Sequence, residues 1–260
     1  MIRYLLLGAI QGATEFLPIS SSGHLVLAQR WIGLDPPGVL LEALLHWGTL
    51  FAIVVVFRRD IANLFRALTS KGTIEDRKEI GVLIAGTVPI VVLGVIWRGS
   101  IGEIFSSVVF VGVGFLVSAA LLLVGESVRC AVERNRAGFT DGLWVGIAQA
   151  AALIPGLSRS GATISVGRAC GLTPRGAARL SFLLAIPAVF GAGLVSLWDA
   201  IKAGGYQGQW MGMVLGTLAA FAVGWLAIRA LLAVVSRGRL WYFAVYCGAL
   251  GVLVLTGVLT

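Results

Sequence analysis

Pro155-Gly156-Leu157-Ser158-Arg159-Ser160-Gly161-Ala162-Thr163 sets an arginine, two serines and a threonine inside an otherwise apolar region. The chain around it has the composition of an integral membrane protein. Of 260 residues, 58% are hydrophobic and only 12% charged, with a mean hydropathy of +0.95, whereas soluble domains carry about 25% charged residues. An ionisable side chain at membrane depth costs about 2.5–3.5 kcal/mol on insertion scales and by default marks a site or a substrate path. Pro155 and Gly156 break a helix and Ser158 can cap the next one, which leaves backbone N–H groups free where that helix starts. Such a helix start binds anions, phosphate above all. The Arg159 guanidinium can clamp phosphate oxygens in pairs, as a lysine cannot, and Ser158, Ser160 and Thr163 add hydroxyl donors. The alternative is an arginine that only locks two chain breaks together through a carboxylate.

A second stretch repeats the device: Gln11-Gly-Ala-Thr14-Glu15-Phe-Leu-Pro18-Ile-Ser20-Ser21-Ser22-Gly23-His24. Ser20-x-Ser22-Gly23 lies 138 positions before Ser158-x-Ser160-Gly161, and Gly8-x-x-Gln11 lies 138 before Gly146-x-x-Gln149. Gly86-Thr87 and Gly94 recur 130 positions later as Gly216-Thr217 and Gly224. The spacing predicts one membrane domain, 1–260, made of two repeats, 1–137 and 138–260, with re-entrant motifs around 11–24 and 155–163.

Six segments come close to the ~20 apolar residues a bilayer requires: 39–57, 80–97, 105–124, 177–197, 210–228 and 240–258. Two others, 4–34 and 142–172, have a polar break flanked by apolar pieces too short to cross alone, the pattern of re-entrant half-helices. The expected fold is therefore an all-α polytopic membrane protein, with six full transmembrane helices and two re-entrant helix pairs in two inverted-topology repeats. With the 58–79 loop inside, 15 of the 20 lysines and arginines fall on the cytoplasmic side, 4 outside, and Arg159 lies in the membrane. The positive-inside rule supports this orientation, and both termini come out extracytoplasmic. Gln11, Thr14 and Glu15 interrupt the apolar run after Arg3, so a cleaved leader is not expected. The re-entrant loops would enter from opposite leaflets and meet near the midplane, the plan of secondary transporters.

The net charge of +8 follows from membrane orientation and anionic lipid, and no nucleic acid is expected. Cys130, Cys170 and Cys247 are odd in number and widely spaced, so no disulfide framework or thiolate metal site is indicated. The sequence leaves a homodimer open. Trp31, Trp97, Trp144, Trp198, Trp210 and Trp241 are placed as interfacial anchors, and Arg98, Glu103, Asp199 and Lys202 as solvated loop charges.

Gln11 and Glu15, four apart, share one helix face. Glu15 is either a buried structural carboxylate paired with Arg159 or a metal ligand or base beside a phosphate. Ser20, Ser21 and Ser22 are candidates for capping or for substrate contact, and His24 can move a proton near neutral pH. A nucleophilic serine needs an adjacent base and an electrophile-binding pocket. Glu42 and His46 are also four apart, and they are expected to bond each other near the interface or to form an outer layer of the site.

Both motifs resemble those of the undecaprenyl-diphosphate phosphatases of the bacitracin-resistance type. The family pattern of Glu or Gln, three residues, then Glu is similar to Gln11…Glu15, followed here by Phe-Leu-Pro-Ile-Ser-Ser-Ser-Gly-His. The pattern Pro-Gly-x-Ser-Arg-Ser-x-x-Thr matches Pro155 to Thr163 without a gap. The resemblance extends to Leu45-His46-Trp47-Gly48-Thr49-Leu50 and Ser181-Phe-Leu-Leu-Ala-Ile-Pro187.

It implies a phosphatase that converts the polyprenyl diphosphate lipid to the monophosphate at the outer face of the bacterial inner membrane, recycling the carrier of peptidoglycan synthesis. It also implies that Glu15, His24, Ser21, Ser158, Arg159 and Thr163 matter, and that a divalent cation, Mg²⁺ or Ca²⁺, supports activity. Gln11 stands where many members carry a first glutamate, which removes one carboxylate from a paired metal site. On this expectation Glu15, His24, Ser21 and Arg159 are catalytic, with Glu15 also the candidate metal ligand. Gln11, Ser20, Ser22, Ser158, Ser160 and Thr163 bind substrate, and Ser21 or water attacks, serine being preferred. A flippase of the lipid monophosphate using the same site, and a non-catalytic lipid-binding scaffold, are the other classes.

Overall fold

The computed structural model describes residues 1–32, 39–69, 72–97, 107–128, 132–202 and 210–258. Arg98, Glu103, Cys130, Lys71 and Arg129 lie outside the described residues. Among these residues the chain is helical throughout, with no strand and one isolated β-bridge between Arg134 and Leu172. In order the helices are α1 (Ile2–Phe16), α2 (Ser21–Ile32), α3 (Val39–Val56), α4 (Arg58–Ala67), α5 (Ile74–Trp97) and α6 (Val108–Ser127). They continue as α7 (Phe139–Ala151), α8 (Arg159–Ala169), α9 (Pro174–Lys202), α10 (Trp210–Val235) and α11 (Trp241–Leu255).

Four of these, α5, α6, α9 and α10, are long and apolar enough to cross a bilayer, and a fifth candidate joins α3 to α4 across a bend of 77°. The protein is thus a multi-pass membrane protein. Two of the six expected spans differ in form. The 39–57 segment ends where Arg58, Arg59 and Asp60 follow Phe57, because three charges in a row cannot continue into hydrocarbon. The 240–258 segment yields a helix of 15 residues, short of the ~20 a bilayer requires; it ends at Thr256, just before the left-handed Gly257 at φ 78°. Asp199 and Lys202, expected in a loop, belong instead to the last turn of α9, where the Lys202 ammonium sits 5.1 Å from the Trp198 ring centroid.

Exposed apolar side chains mark the lipid face. On α5 they include Ile84, Val88, Val91, Val92, Val95 and Ile96, each more than half exposed. The core is centred on Phe16, Phe115 and Phe182, each fully buried, with Phe16 edge-on to Phe182 at 5.9 Å. Since lipid gives helices no hydrophobic reason to associate, close backbone approach through small residues becomes the means of packing. Here α1 packs on α10 and α7 on α5. A Cβ at Gly8 would run into the Gly216 main chain, and one at Gly146 into that of Gly86. Away from this core, Arg179 of α9 joins Asp60 of α4 at 2.6 Å to Glu79 of α5.

Candidate active site

Two chain breaks build the site. Proline forces the residue before it out of the helical region, and α1 accordingly stops ahead of Pro18, with Leu17 extended at φ −63°, ψ 142°. Ser20 then takes the left-handed conformation, φ 68°, which costs a residue with a Cβ about 1–3 kcal/mol and persists only where neighbours enforce it. They do so here: the Ser20 Oγ accepts the Gly23 N–H at 3.3 Å, capping α2, while the Ser20 carbonyl is 2.7 Å from His24 Nδ1.

The second break follows the same plan. Gly156, at φ 82°, supplies the left-handed turn, and a Cβ there would meet the Val111 carbonyl. Ser158 caps α8 by accepting the Gly161 N–H at 3.1 Å. Ser118 of α6 anchors this turn, accepting the Ser158 N–H at 2.8 Å and donating to the Gly114 and Gly156 carbonyls. The short Ser20–Ser22 and Ser158–Ser160 hydroxyl contacts, 3.2 and 3.3 Å, are alike.

The two turns meet. Arg159 Nη2 donates to Glu15 Oε1 at 2.7 Å, and the Ser160 hydroxyl donates to the Leu17 carbonyl at 3.1 Å. Glu15 Oε2 accepts from Ser21 Oγ at 2.6 Å and from Gln11 Nε2 at 3.1 Å. Side-chain exposure is 7% for Glu15 and 14% for Arg159, so the ion pair is largely screened from bulk water. Among the described residues, buried Arg159 Nη1 has no hydrogen-bond partner, and neither has Gln11 Oε1. A buried guanidinium with one end paired and the other free calls for an anion, because an unmet charged donor costs more than a neutral one.

Some expected residues stand elsewhere. His24 does not join this cluster: its Nδ1 faces the Ser20 carbonyl and its Nε2 is 2.7 Å from Tyr246 Oη, with Phe115 edge-on to the ring at 5.4 Å. Thr163 is fully buried, its hydroxyl bonded to the Arg159 and Ser160 carbonyls and 2.6 Å from Ser181 Oγ. It steadies the first turn of α8 rather than facing Glu15. The histidine beside Glu15 is His46, its Nε2 3.9 Å from Glu15 Oε2. Glu42 and His46 do not pair through their side chains: His46 Nδ1 is 2.8 Å from the Glu42 main-chain oxygen, and the Glu42 carboxylate accepts from Gln29 at 3.0 Å. Their four-residue spacing was the sequence signal for His46. Ser118 and Tyr246 carried none, and Ser181 stood out only as the start of the Ser181–Pro187 stretch that shares the resemblance.

A divalent cation needs several oxygen donors. Among the described residues no three His, Cys, Asp or Glu side chains converge. Glu15 has one oxygen on Arg159 and the other on Ser21 and Gln11. This donor set does not by itself fit a resident Mg²⁺ or Ca²⁺.

Residues 4–253 match the family described as bacitracin resistance protein BacA. The chain is 39% identical to the undecaprenyl-diphosphatase of Desulforapulum autotrophicum, over 95% of this chain and 94% of that protein. It is 38% identical to the undecaprenyl-diphosphatase of Halothermothrix orenii, over 98% and 97%. With that of Rubrobacter xylanophilus identity is 40%, again over 98% and 97%. The match runs from the first helix into the last, over nearly the whole chain: the chain belongs to the bacitracin resistance protein BacA family.

Proposed function

We propose that the protein is an integral membrane phosphatase that hydrolyses undecaprenyl diphosphate to undecaprenyl phosphate and phosphate, returning the lipid carrier of peptidoglycan synthesis to use. One observation carries this: a buried carboxylate holds a serine hydroxyl on one oxygen and an arginine on the other, and that arginine has a second nitrogen free for a phosphate. Nucleophile and base within hydrogen-bond reach, next to a cationic clamp, are the parts phosphoryl transfer requires.

In the first half-reaction Glu15 takes the Ser21 proton as Oγ bonds to the terminal phosphorus. The bridging P–O bond breaks, and the lipid monophosphate leaves with that electron pair and receives the proton from Glu15. Arg159 and the N–H groups at the start of α8 neutralise the oxygens in flight, which supplies most of the catalysis in such reactions. In the second half-reaction water releases phosphate from Ser21. Gln11 orients Glu15, and Ser158 and Ser160 fix the α8 turn. Ser20, Ser22 and His24 hold the strained turn that carries Ser21. No step is assigned to Mg²⁺ or Ca²⁺, because the residues around Glu15 do not by themselves fit a resident cation. One chain supplies the whole site, so a homodimer adds nothing to the chemistry.

We read the frame as two inverted repeats, 1–137 and 138–260, with six spans and two re-entrant pairs. The crosswise glycine contacts support this: residues matched across repeats as Gly8 with Gly146 and Gly86 with Gly216 also pack as Gly8 on Gly216 and Gly146 on Gly86. The distribution of lysine and arginine supports extracytoplasmic termini, and the family likeness supports a site opening to the outer face of the bacterial inner membrane. A flippase would use the arginine but has no use for a serine bonded to a base.

The test is phosphate release from undecaprenyl diphosphate by the detergent-solubilised protein. Release by the wild type and its loss in Arg159→Ala are expected. A folded wild-type protein that binds the lipid and releases no phosphate refutes the assignment.

A further inference from the structure

The site has two histidines near it, and only one has a ring nitrogen to offer. His24 spends Nδ1 on the Ser20 carbonyl and Nε2 on the Tyr246 hydroxyl. His46 Nδ1 lies 2.8 Å from the Glu42 main-chain oxygen. A carbonyl can only accept, so Nδ1 carries a hydrogen, and in the neutral ring Nε2 is then an acceptor. Among the described residues no hydrogen bond reaches that nitrogen. It faces Glu15 Oε2 across 3.9 Å, with His46 32% exposed and Glu15 only 7%. Two acceptors cannot bond each other, but a water donating one hydrogen to each, at about 2.8 Å apiece, spans a gap of this size. The same Glu15 oxygen holds the Ser21 hydroxyl at 2.6 Å, so a water in the gap stands beside the atom that would carry the phosphoryl group.

We propose that His46 is the water-positioning residue of the second half-reaction, a role that rests on the phosphatase reading with Ser21 as nucleophile. The bridging water gives one proton to Glu15 while its oxygen bonds to phosphorus. The P–Oγ bond breaks, phosphate leaves with the water's oxygen and its other proton, and Glu15 returns the first proton to Ser21 Oγ. His46 takes no proton. It accepts the water's second hydrogen bond and so fixes the direction of attack, and misplacing a reactant by about 1 Å can cost 10²-fold.

The test is rapid-quench trapping with undecaprenyl diphosphate labelled in its terminal phosphate, on wild type, Ser21→Ala, His46→Ala and His46→Gln. Wild-type phosphate release and its loss in Ser21→Ala check the underlying reading; failure of either defeats that reading and this role with it. With both in place, His46→Ala should turn over about 10²-fold more slowly while label builds up on Ser21. His46→Gln, whose amide oxygen can accept the same hydrogen bond, should stay within about tenfold of wild type without accumulating label. A structural role alone would not stall the reaction after the first step. His46→Ala turning over like wild type, or slowed with no label on the protein, overturns the assignment, as does a glutamine variant as impaired as alanine.

Discussion

Replacing Arg159 by lysine separates the two tasks of the guanidinium. Nη2 is 2.7 Å from Glu15 Oε1, and the buried Nη1 has no partner. Lysine keeps the charge, but its donors radiate from a single nitrogen and cannot reproduce two nitrogens held in one plane, one on the carboxylate and the other aimed at a phosphate oxygen. What is lost is one donor directed at the phosphoryl group. Removing one preorganised donor of this kind costs about 10²–10³ in rate, or about 2.7–4.1 kcal/mol at about 1.36 kcal/mol per tenfold. Folding should change little, since an ammonium still neutralises Glu15. Arg159→Ala instead strands a buried carboxylate and should also lose about 3–5 kcal/mol of stability. Phosphate release from undecaprenyl diphosphate in detergent measures the first effect, and thermal unfolding of the same preparations the second. Arg159→Lys within about threefold of wild-type kcat/KM would refute the bifunctional clamp. Equal losses of stability in the lysine and alanine variants would show that Arg159 serves only to lock the two turns.

Ser21→Ala leaves Glu15 its bonds to Arg159 and Gln11, so the fold should persist while phosphate release falls about 10³-fold or more; a loss under tenfold would assign the first attack to water. Gly146→Val drives a side chain into the Gly86 main chain and should destabilise by about 1–3 kcal/mol in detergent unfolding. Gly81→Val, on α5 five residues before Gly86 but with nothing within 4 Å of its Cβ position, is the control and should be near neutral. Arg179→Ala releases Asp60 and Glu79 at once. Its side chain is 29% exposed, so a loss of about 1–2 kcal/mol with unchanged kcat is expected, and an activity loss without a stability loss would contradict its placement away from the site.

How legible this was in the sequence depended on how each residue earns its place. Pro18 and Pro155 act locally, so the breaks after α1 and α7 could be read from the chain alone, as could the cap at Ser158, whereas which of Ser20, Ser21 and Ser22 caps α2 stayed open. Arg159 and Glu15 could be paired because each is intolerable in a membrane without a partner. His24 was placed by proximity along the chain, which fixes its contact with the Ser20 turn but not what its other ring nitrogen meets. The α2 helix carries its imidazole toward Tyr246, 222 positions away, and no local rule foretells such a partner. His46 was underrated for the same reason in reverse: it lies 31 positions beyond Glu15 on α3, and only helix packing brings its ring nitrogen within 3.9 Å.

The repeat, as we read it, explains why a symmetric frame produces a site of one hand. Shifted by 138, Arg159 falls on Ser21 and Leu153 on Glu15. Both turns keep the capping serine and the second hydroxyl at matching distances, so each offers a helix start to an anion. At the next position they divide the chemistry, one supplying a nucleophile and the other a cation. Glutamine at 11 and at 149 shows the consequence. Gln11 donates to Glu15, whereas Gln149, with Leu153 where the carboxylate would be, has both amide atoms buried without a partner. An unmet amide in the core is destabilising, so the second copy retains a polar group that its own turn no longer uses. Two identical copies would have set either two arginines or two serine–carboxylate pairs against each other, and neither arrangement both holds and cleaves a diphosphate. On the proposed repeat and mechanism, divergence at positions 15 and 153, and at 21 and 159, therefore accounts for catalysis at a single centre.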